Sequence, residues 1–286
     1  MRIDVLTVFP EMILAALPHG ILGRALERKL LEVRVVNLRD YTHDRHRTTD
    51  DIPYGGGGGM IMKIEPIFAA LEELDVADGR TRVALTDPRG RMFTQETARE
   101  WAADTHIVLL CGHYEGVDDR VREHLVTDEV SVGDYILTGG ELPALLIIDA
   151  LARLQPGALG DESAPDKDTF SDNLLEYPHY TRPREYRGWR VPDILLSGHH
   201  ARIEQWRRWH QLRATRERRP DLFARIALSA ADLRLIDSPE PQHPAHVDQS
   251  AGLAKGIAAV AAPSAEHVSW EEEDIDGTGT SDHSGH

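Results

Sequence analysis

The chain has 286 residues and a single cysteine, Cys111, which excludes an internal disulfide framework and fits a reducing compartment. No apolar run nears the roughly 18 residues of a membrane span. The opening MRIDVLTVFPEM is short and carries an acid, so it reads as a first β-strand and not as a signal peptide. A cytoplasmic protein is expected. No GxGxxG follows that first strand, which disfavours a conventional dinucleotide site. The five-glycine run in PYGGGGGMIMK (53–63) lacks both a GK[ST] ending and a preceding apolar strand, which disfavours nucleoside triphosphate binding. Basic residues are also in short supply. The 32 Lys and Arg against 48 Asp and Glu give a net charge of −16, at first sight a poor match for nucleic acid.

That average conceals an asymmetry. Residues 177–236 hold 13 Lys and Arg against 6 Asp and Glu, whereas 237–286 hold one Lys against 10 acids. A basic segment on an acidic body still makes a footprint for phosphate. From 237 onward Pro, Ala, Ser, Gly, His and acids dominate without apolar periodicity, so a disordered acidic tail is expected. Within it, Trp270 and the acids 271–273 read as solvated tail in preference to a binding motif.

The first half alternates strand-like runs (3–9, 33–38, 82–86, 106–111, 129–137) with helix-like runs (20–29, 64–74, 94–102). That alternation predicts an α/β fold with a mostly parallel sheet. Small, polar and acidic residues around 157–172 mark a linker. An Arg-rich, Trp-containing and mainly helical part follows, with its clearest helix at 201–218. The expected organisation is a domain over 1–159, a flexible linker over 160–175, a helical domain over 176–236 and the tail over 237–286.

The most informative stretch is SVGDYILTGGELPALLIIDALARL (131–154). It reads as a strand end, a double-glycine turn, and a helix with Glu141 as its N-cap and Pro143 in its first turn. Leu145, Ile148, Leu151 and Leu154 recur at helical spacing and predict a core-facing stripe. Glycines without Cβ let backbone approach a ligand closely. TDPRGRMF (86–93) and LLCGHYEGVDDR (109–120) also turn at glycines after strands. Ligands in open α/β sheets gather at the carboxyl ends of strands, so these three strand ends predict one pocket for a small-molecule cofactor.

Taken in order, PYGGGGGM, DPRG, CGHYEGVDDR, VGDYILTGGELPA, LLEYPHYTRP and LSGHH resemble the bacterial tRNA (guanine-N1)-methyltransferase (TrmD) family over about 1–235. The resemblance implies a SPOUT-type fold with a deep trefoil knot, a feature that no periodicity reveals. It also implies a homodimer whose active site uses both subunits. The implied reaction moves a methyl group from S-adenosylmethionine to N1 of guanosine 37 in tRNA, with Mg²⁺ as a further cofactor. The implied cofactor residues are Pro88, Gly90, Gly112, Tyr114, Glu115, Val132, Gly133, Asp134, Tyr135, Ile136, Leu137, Gly139, Gly140 and Pro143.

Asp168 matches the family's general base, which guanine N1 needs before it is nucleophilic. Arg153 matches the family's essential arginine, placed to stabilise charge on the guanine O6. Two plainer readings compete: Arg153 as the i,i+4 partner of Asp149, and Asp168 as one more acid of a solvated linker. Glu115 has two candidate roles, toward the cofactor or toward the guanine edge. His179, Tyr180, Arg182, Ser197, His199, Arg207 and Arg208 are the remaining candidate RNA contacts, while Trp206 and Trp209 read equally well as core. No His, Cys or carboxylate spacing suggests a dedicated metal cage, and His199 with His200 reads as a helix cap or RNA contact. Five glycines replace the family's commoner GGGPG, Glu176 stands where Asp also occurs, and the tail has no counterpart in short members. A knotted methyltransferase acting on another RNA site, and a cofactor-sensing RNA-binding protein, are the alternatives.

Overall fold

The computed structural model describes residues 1–76, 79–161, 168–170 and 172–242. Most of the expected tail (243–286) and much of the expected linker (162–167 and 171) lie outside the described residues. Five strands form the central sheet: β1 (Arg2–Thr7), β2 (Glu32–Asn37), β5 (Arg82–Met92), β6 (His106–Cys111) and β7 (Asp128–Ser131). Their order is β2-β1-β6-β5-β7, and every pair is parallel. Two short strands, β3 (Asp50–Asp51) and β4 (Ile61–Met62), pair antiparallel around the glycine run.

Alternation along the strands sorts side chains onto two faces. Ile3, Val5, Ala84, Ile107 and Leu109 pack into one core with α1 (Pro10–Leu14), α2 (Gly20–Glu27), α4 (Gln95–Trp101) and α6 (Glu141–Arg153). Leu6, Val83, Leu85, Val108 and Leu110 pack into the other with α3 (Ile64–Glu73) and α5 (Asp119–His124). A sheet buried on both faces explains why 106–111 reads as a continuous apolar run. Each fully buried Leu or Ile contributes roughly 1.5–3 kcal/mol. At one edge, the Arg82 guanidinium stacks 5.0 Å from the Trp101 ring centroid while bonding Asp104 (2.6 Å) and Asp128 (2.8 Å), which ties α4 and β7 to β5.

Two expectations change. The strand expected over 129–137 stops at Ser131, because the Gly133 amide donates to Ser131 Oγ (3.3 Å) and the Tyr135 amide to the Gly133 carbonyl (2.9 Å), turning the chain. Glu141 is not the cap of α6 but its first residue, after Gly140, and it is buried.

The later part carries the hairpin β8 (Glu185–Tyr186) and β9 (Trp189–Arg190), then α7 (His200–Arg218), α8 (Pro220–Phe223) and α9 (Ala230–Ile236). Leu174, Leu212 and Ile236 form a small separate core. Trp206 belongs to the interior. Its Nε1 donates to Glu240 (2.8 Å), and Trp209 Nε1 donates to the Ser238 carbonyl (3.0 Å), so 237–240 folds back along α7.

Arg208 grips Asp232 with two bonds of 2.7 and 3.0 Å, and Asp232 also closes a capping box with Ser229. The guanidinium holds the Asp232 carboxyl well below the usual carboxylate range. A depressed folded value means full stabilisation above the unfolded pKa of about 4, and loss as the pH falls toward the folded value. Asp232→Asn is expected to cost about 1–2 kcal/mol at pH 7, and the difference should narrow below pH ~4. Thermal melts of both proteins from pH 7 to pH ~3 check this; a constant gap would refute it.

Candidate functional site

Strand order fixes where a ligand fits. The β5–β6 connection steps toward β1, while the β6–β7 connection steps back across β5, so a crevice opens at the carboxyl end of β5. A cavity of about 310 Å³ occupies it, within the range of small-molecule sites. Three segments wall it. The first is a bulge of β5, where Thr86 and Arg91 both pair with Val130 and residues 87–90 loop out. The second is the turn after β6, where Tyr114 takes a left-handed φ of 59°, a conformation that costs of order 1 kcal/mol. The third is 130–140, which leads into α6.

Of the residues expected to hold a cofactor, Pro88, Gly112, Tyr114, Glu115, Val132, Gly133, Tyr135, Ile136, Leu137, Gly139, Gly140 and Pro143 surround this cavity. Gly90 and Asp134 do not. A Cβ on Gly90 would lie 2.3 Å from the Val130 nitrogen, so that glycine serves the bulge. Asp134 is exposed to solvent.

Gly140 has the tightest surroundings. Its Cβ would fall 2.1 Å from Thr86 Oγ1 and 2.7 Å from the Cys111 Cα, and its amide donates to the Gly112 carbonyl at 2.8 Å. The glycine turn is thereby wedged between the ends of β5 and β6. The five-glycine run reaches the same place. The Glu115 amide donates to the Met60 carbonyl (3.0 Å), and a Cβ on Gly59 would meet Glu115 Cγ at 2.4 Å.

Sequence reasoning passed over Thr86, Asp87 and His113, which also line the cavity. His113 Nδ1 is buried with no hydrogen-bond partner among the described residues, 3.9 Å from the buried Glu141 carboxylate. The other Glu141 oxygen accepts from Thr7 Oγ1 at 2.6 Å. The signal was present: His113 sits inside the CGHYEG motif, and an acid heading a buried helix needs a partner. Burial, with Glu141 adding to it, pushes the Cys111 thiol up, so that cysteine packs as a neutral group.

Arg153 and Asp168 form an ion pair, so Asp149 is not the partner recorded for Arg153. Neither residue lines the cavity. Arg153 ends α6, about 18 Å of helix from Glu141 beside the cleft. Within one chain the pair and the cleft stand apart.

Apart from Glu115, the candidate RNA contacts lie outside the cleft. Tyr180 and Arg182 line a separate cavity, and His179 stacks 4.6 Å from Tyr177. Ser197 Oγ accepts from the His199 amide (3.2 Å) just ahead of α7, for which His199 is the N-cap. Arg207 bonds Glu204 (2.6 Å) and lies over the Tyr177 ring, while Arg208 is committed to Asp232. Among the described residues no group of three or more His, Cys, Asp or Glu stands ready to hold a metal ion.

The family model described as tRNA (Guanine-1)-methyltransferase TrmD matches residues 1–225. The chain belongs to this family. The tRNA (guanine-N(1)-)-methyltransferase of Brevibacillus brevis is 55% identical over 236 residues, covering 82% of this chain and 97% of the relative. That of Dehalococcoides mccartyi is 52% identical over 238 residues (83% and 96%), and that of Staphylococcus carnosus 51% over 242 (85% and 98%). This family membership makes the chain a methyltransferase enzyme.

The wedge makes a direct prediction. Gly140→Ala should lower stability by about 2 kcal/mol or more, because a Cβ there would meet the buried Thr86 hydroxyl and also the Cys111 and Gly112 backbone, which cannot yield. Gly58→Ala, whose Cβ would have no neighbour within 4 Å, should leave it nearly unchanged. Paired thermal melts decide; equal losses would mean that the close approach is not limiting.

Proposed function

We propose that this enzyme transfers a methyl group from S-adenosylmethionine to N1 of guanosine 37 in tRNA, as a homodimer. The observation that carries the reading is family membership over 225 residues, joined to a glycine-walled cleft at the strand ends. The walls fit the cofactor: Val132, Ile136, Leu137 and Pro143 offer apolar surface to an adenosine, and the turns at Gly112 and Gly139–Gly140 offer backbone groups. The unpartnered His113 Nδ1 marks a polar position in the same wall. When bound, the cofactor supplies a methyl group already activated by its sulfonium.

The chain's own residues do the rest. Asp168 takes the proton from guanine N1, whose lone pair is then free to attack, and Arg153 offsets negative charge spreading to O6. Their ion pair orients the carboxylate before substrate arrives. Glu115, beside the glycine run, faces the cleft and serves either the cofactor or the guanine edge.

The separation of Arg153 from the cleft supports a site completed by a second copy. So does an apolar surface on two neighbouring helices: Met12 and Leu14 on α1, and Leu142 and Leu146 on α6, are exposed in the single chain. The knotted path of the SPOUT fold remains part of the proposal, supported by membership of the family. The domain division at about 159, 175 and 236 is likewise proposed, supported by the separate small core of the later part. A cytoplasmic site of action accords with the single buried cysteine, and no described helix is long and apolar enough to cross a membrane.

Two outcomes test this reading. Asp168→Asn should keep cofactor affinity while lowering kcat on a tRNA transcript with guanosine 37 by about 10²–10⁴. Undiminished turnover removes Asp168 as the base, and absence of N1-methylguanosine with the unaltered enzyme removes the reaction. Leu146→Asp should shift sedimentation from dimer to monomer and abolish turnover; an active monomer contradicts the shared site.

A further inference from the structure

Outside the cleft, the feature with most unexplained chemistry is the β8–β9 hairpin. Its turn is Arg187–Gly188, both at positive φ (53° and 83°), the tight two-residue form that matches strand twist. The Val191 amide closes its base on the Arg184 carbonyl at 2.9 Å. The register sets Tyr186 opposite Trp189, with ring centroids 6.4 Å apart, and the Arg187 guanidinium lies 5.4 Å from the Tyr186 ring. Both rings face outward, Tyr186 at 56% and Trp189 at 71% exposure. A two-residue strand gains nothing from exposing such rings to water, so they point to a ligand with flat faces.

Against this hairpin lies a second cavity of about 310 Å³, lined by Tyr180, Thr181, Arg182, Arg184, Val191, Leu195 and Leu196. Its walls combine one aromatic ring and three aliphatic side chains with two guanidiniums. Among the described residues neither Arg182 nor Arg184 is paired with a carboxylate. Over 180–190 there are four arginines and one acid, Glu185, which already bonds Arg190 at 3.4 Å. On a chain of net charge −16, so basic a patch favours a polyanion over an ordinary protein surface.

We propose that the hairpin and this cavity form a second nucleotide subsite, which holds an unpaired nucleotide of the RNA away from the reacting guanine. The apolar side of the cavity with Tyr180 takes the base, Arg182 and Arg184 take its phosphates, and Tyr186 and Trp189 stack a neighbouring base. Paired bases cannot offer these faces, so the segment bound is single-stranded, as in a loop. The subsite rests on the tRNA reading above and adds a place and a chemistry to it.

The test uses the full chain, S-adenosylmethionine and a tRNA transcript with guanosine 37. RNA should quench the fluorescence of Trp189, identified by loss of that change in Trp189→Phe. Trp189→Ala should weaken RNA affinity by about 10-fold with an unaltered salt slope, since stacking releases no counterions. Arg184→Gln should lower the slope of log K against log salt by about 0.7. All variants should bind S-adenosylmethionine as the unaltered enzyme does, which separates these effects from misfolding. Unchanged affinity and slope in both variants, or a Trp189 signal that follows protein concentration and not RNA, overturns the subsite. Should the unaltered enzyme bind RNA through Trp189 yet methylate nothing, the subsite stands and the proposed reaction falls.

Discussion

Most of the functional architecture hangs on one close approach, that of Gly140 to the ends of β5 and β6. With Thr86 Oγ1, the Cys111 Cα and the Gly112 nitrogen all where a Cβ would go, only glycine fits there. That approach lets the Gly112 carbonyl bond the Gly140 amide, which locates the start of α6. It also buries Glu141 beside Thr7 and His113, at the carboxyl ends of β1 and β6. Strand ends, turn and helix start are thus fixed by one contact, and the cavity is the space they leave.

From that anchored start, α6 acts as a ruler. Its apolar stripe, Ala144, Ile147, Ile148 and Leu151, locks it against the sheet, so its far end has a defined position as well. A rigid helix of 13 residues cannot bring Arg153 back to the cleft at its own start. The architecture therefore divides the chemistry: one end of α6 shapes a pocket from backbone, and the other carries a guanidinium bonded to Asp168. Outward-facing Leu142 and Leu146 lie on the helix between those ends.

How much of this was legible follows from which forces set each feature. The run 106–111 matched its strand end for end, because burial on both faces leaves an uninterrupted apolar signal. The helices at 20–27 and 64–73 fell within a residue or two of expectation, because their buried side chains recur at helical spacing. Hydropathy could not show that the strand at 129 ends at Ser131, since its end is set by Ser131 Oγ and the Gly133 carbonyl. Nor could spacing reveal that Gly90 packs on the Val130 backbone away from the cavity, or that Asp168 displaces Asp149 as the partner of Arg153. Those facts depend on residues distant in sequence, to which local periodicity is blind. His113 was legible as a motif member; its orphaned Nδ1 was not, because that property arises only when Glu141 is brought within 3.9 Å.

Charge completes the division of labour. The cleft is built chiefly from glycine turns and apolar walls, which suit a small, compact ligand. The Arg-rich later part concentrates positive charge in a chain that is acidic overall, and even there several arginines are consumed internally, Arg208 by Asp232 and Arg219 by Asp221. What is left for phosphate is therefore a smaller and more directional set than the sequence count implies. Net negative charge over the rest of the chain disfavours contact with RNA there, which narrows the orientations in which a polyanion can dock. In a protein of this composition, orientation is governed as much by where RNA is refused as by where it is held.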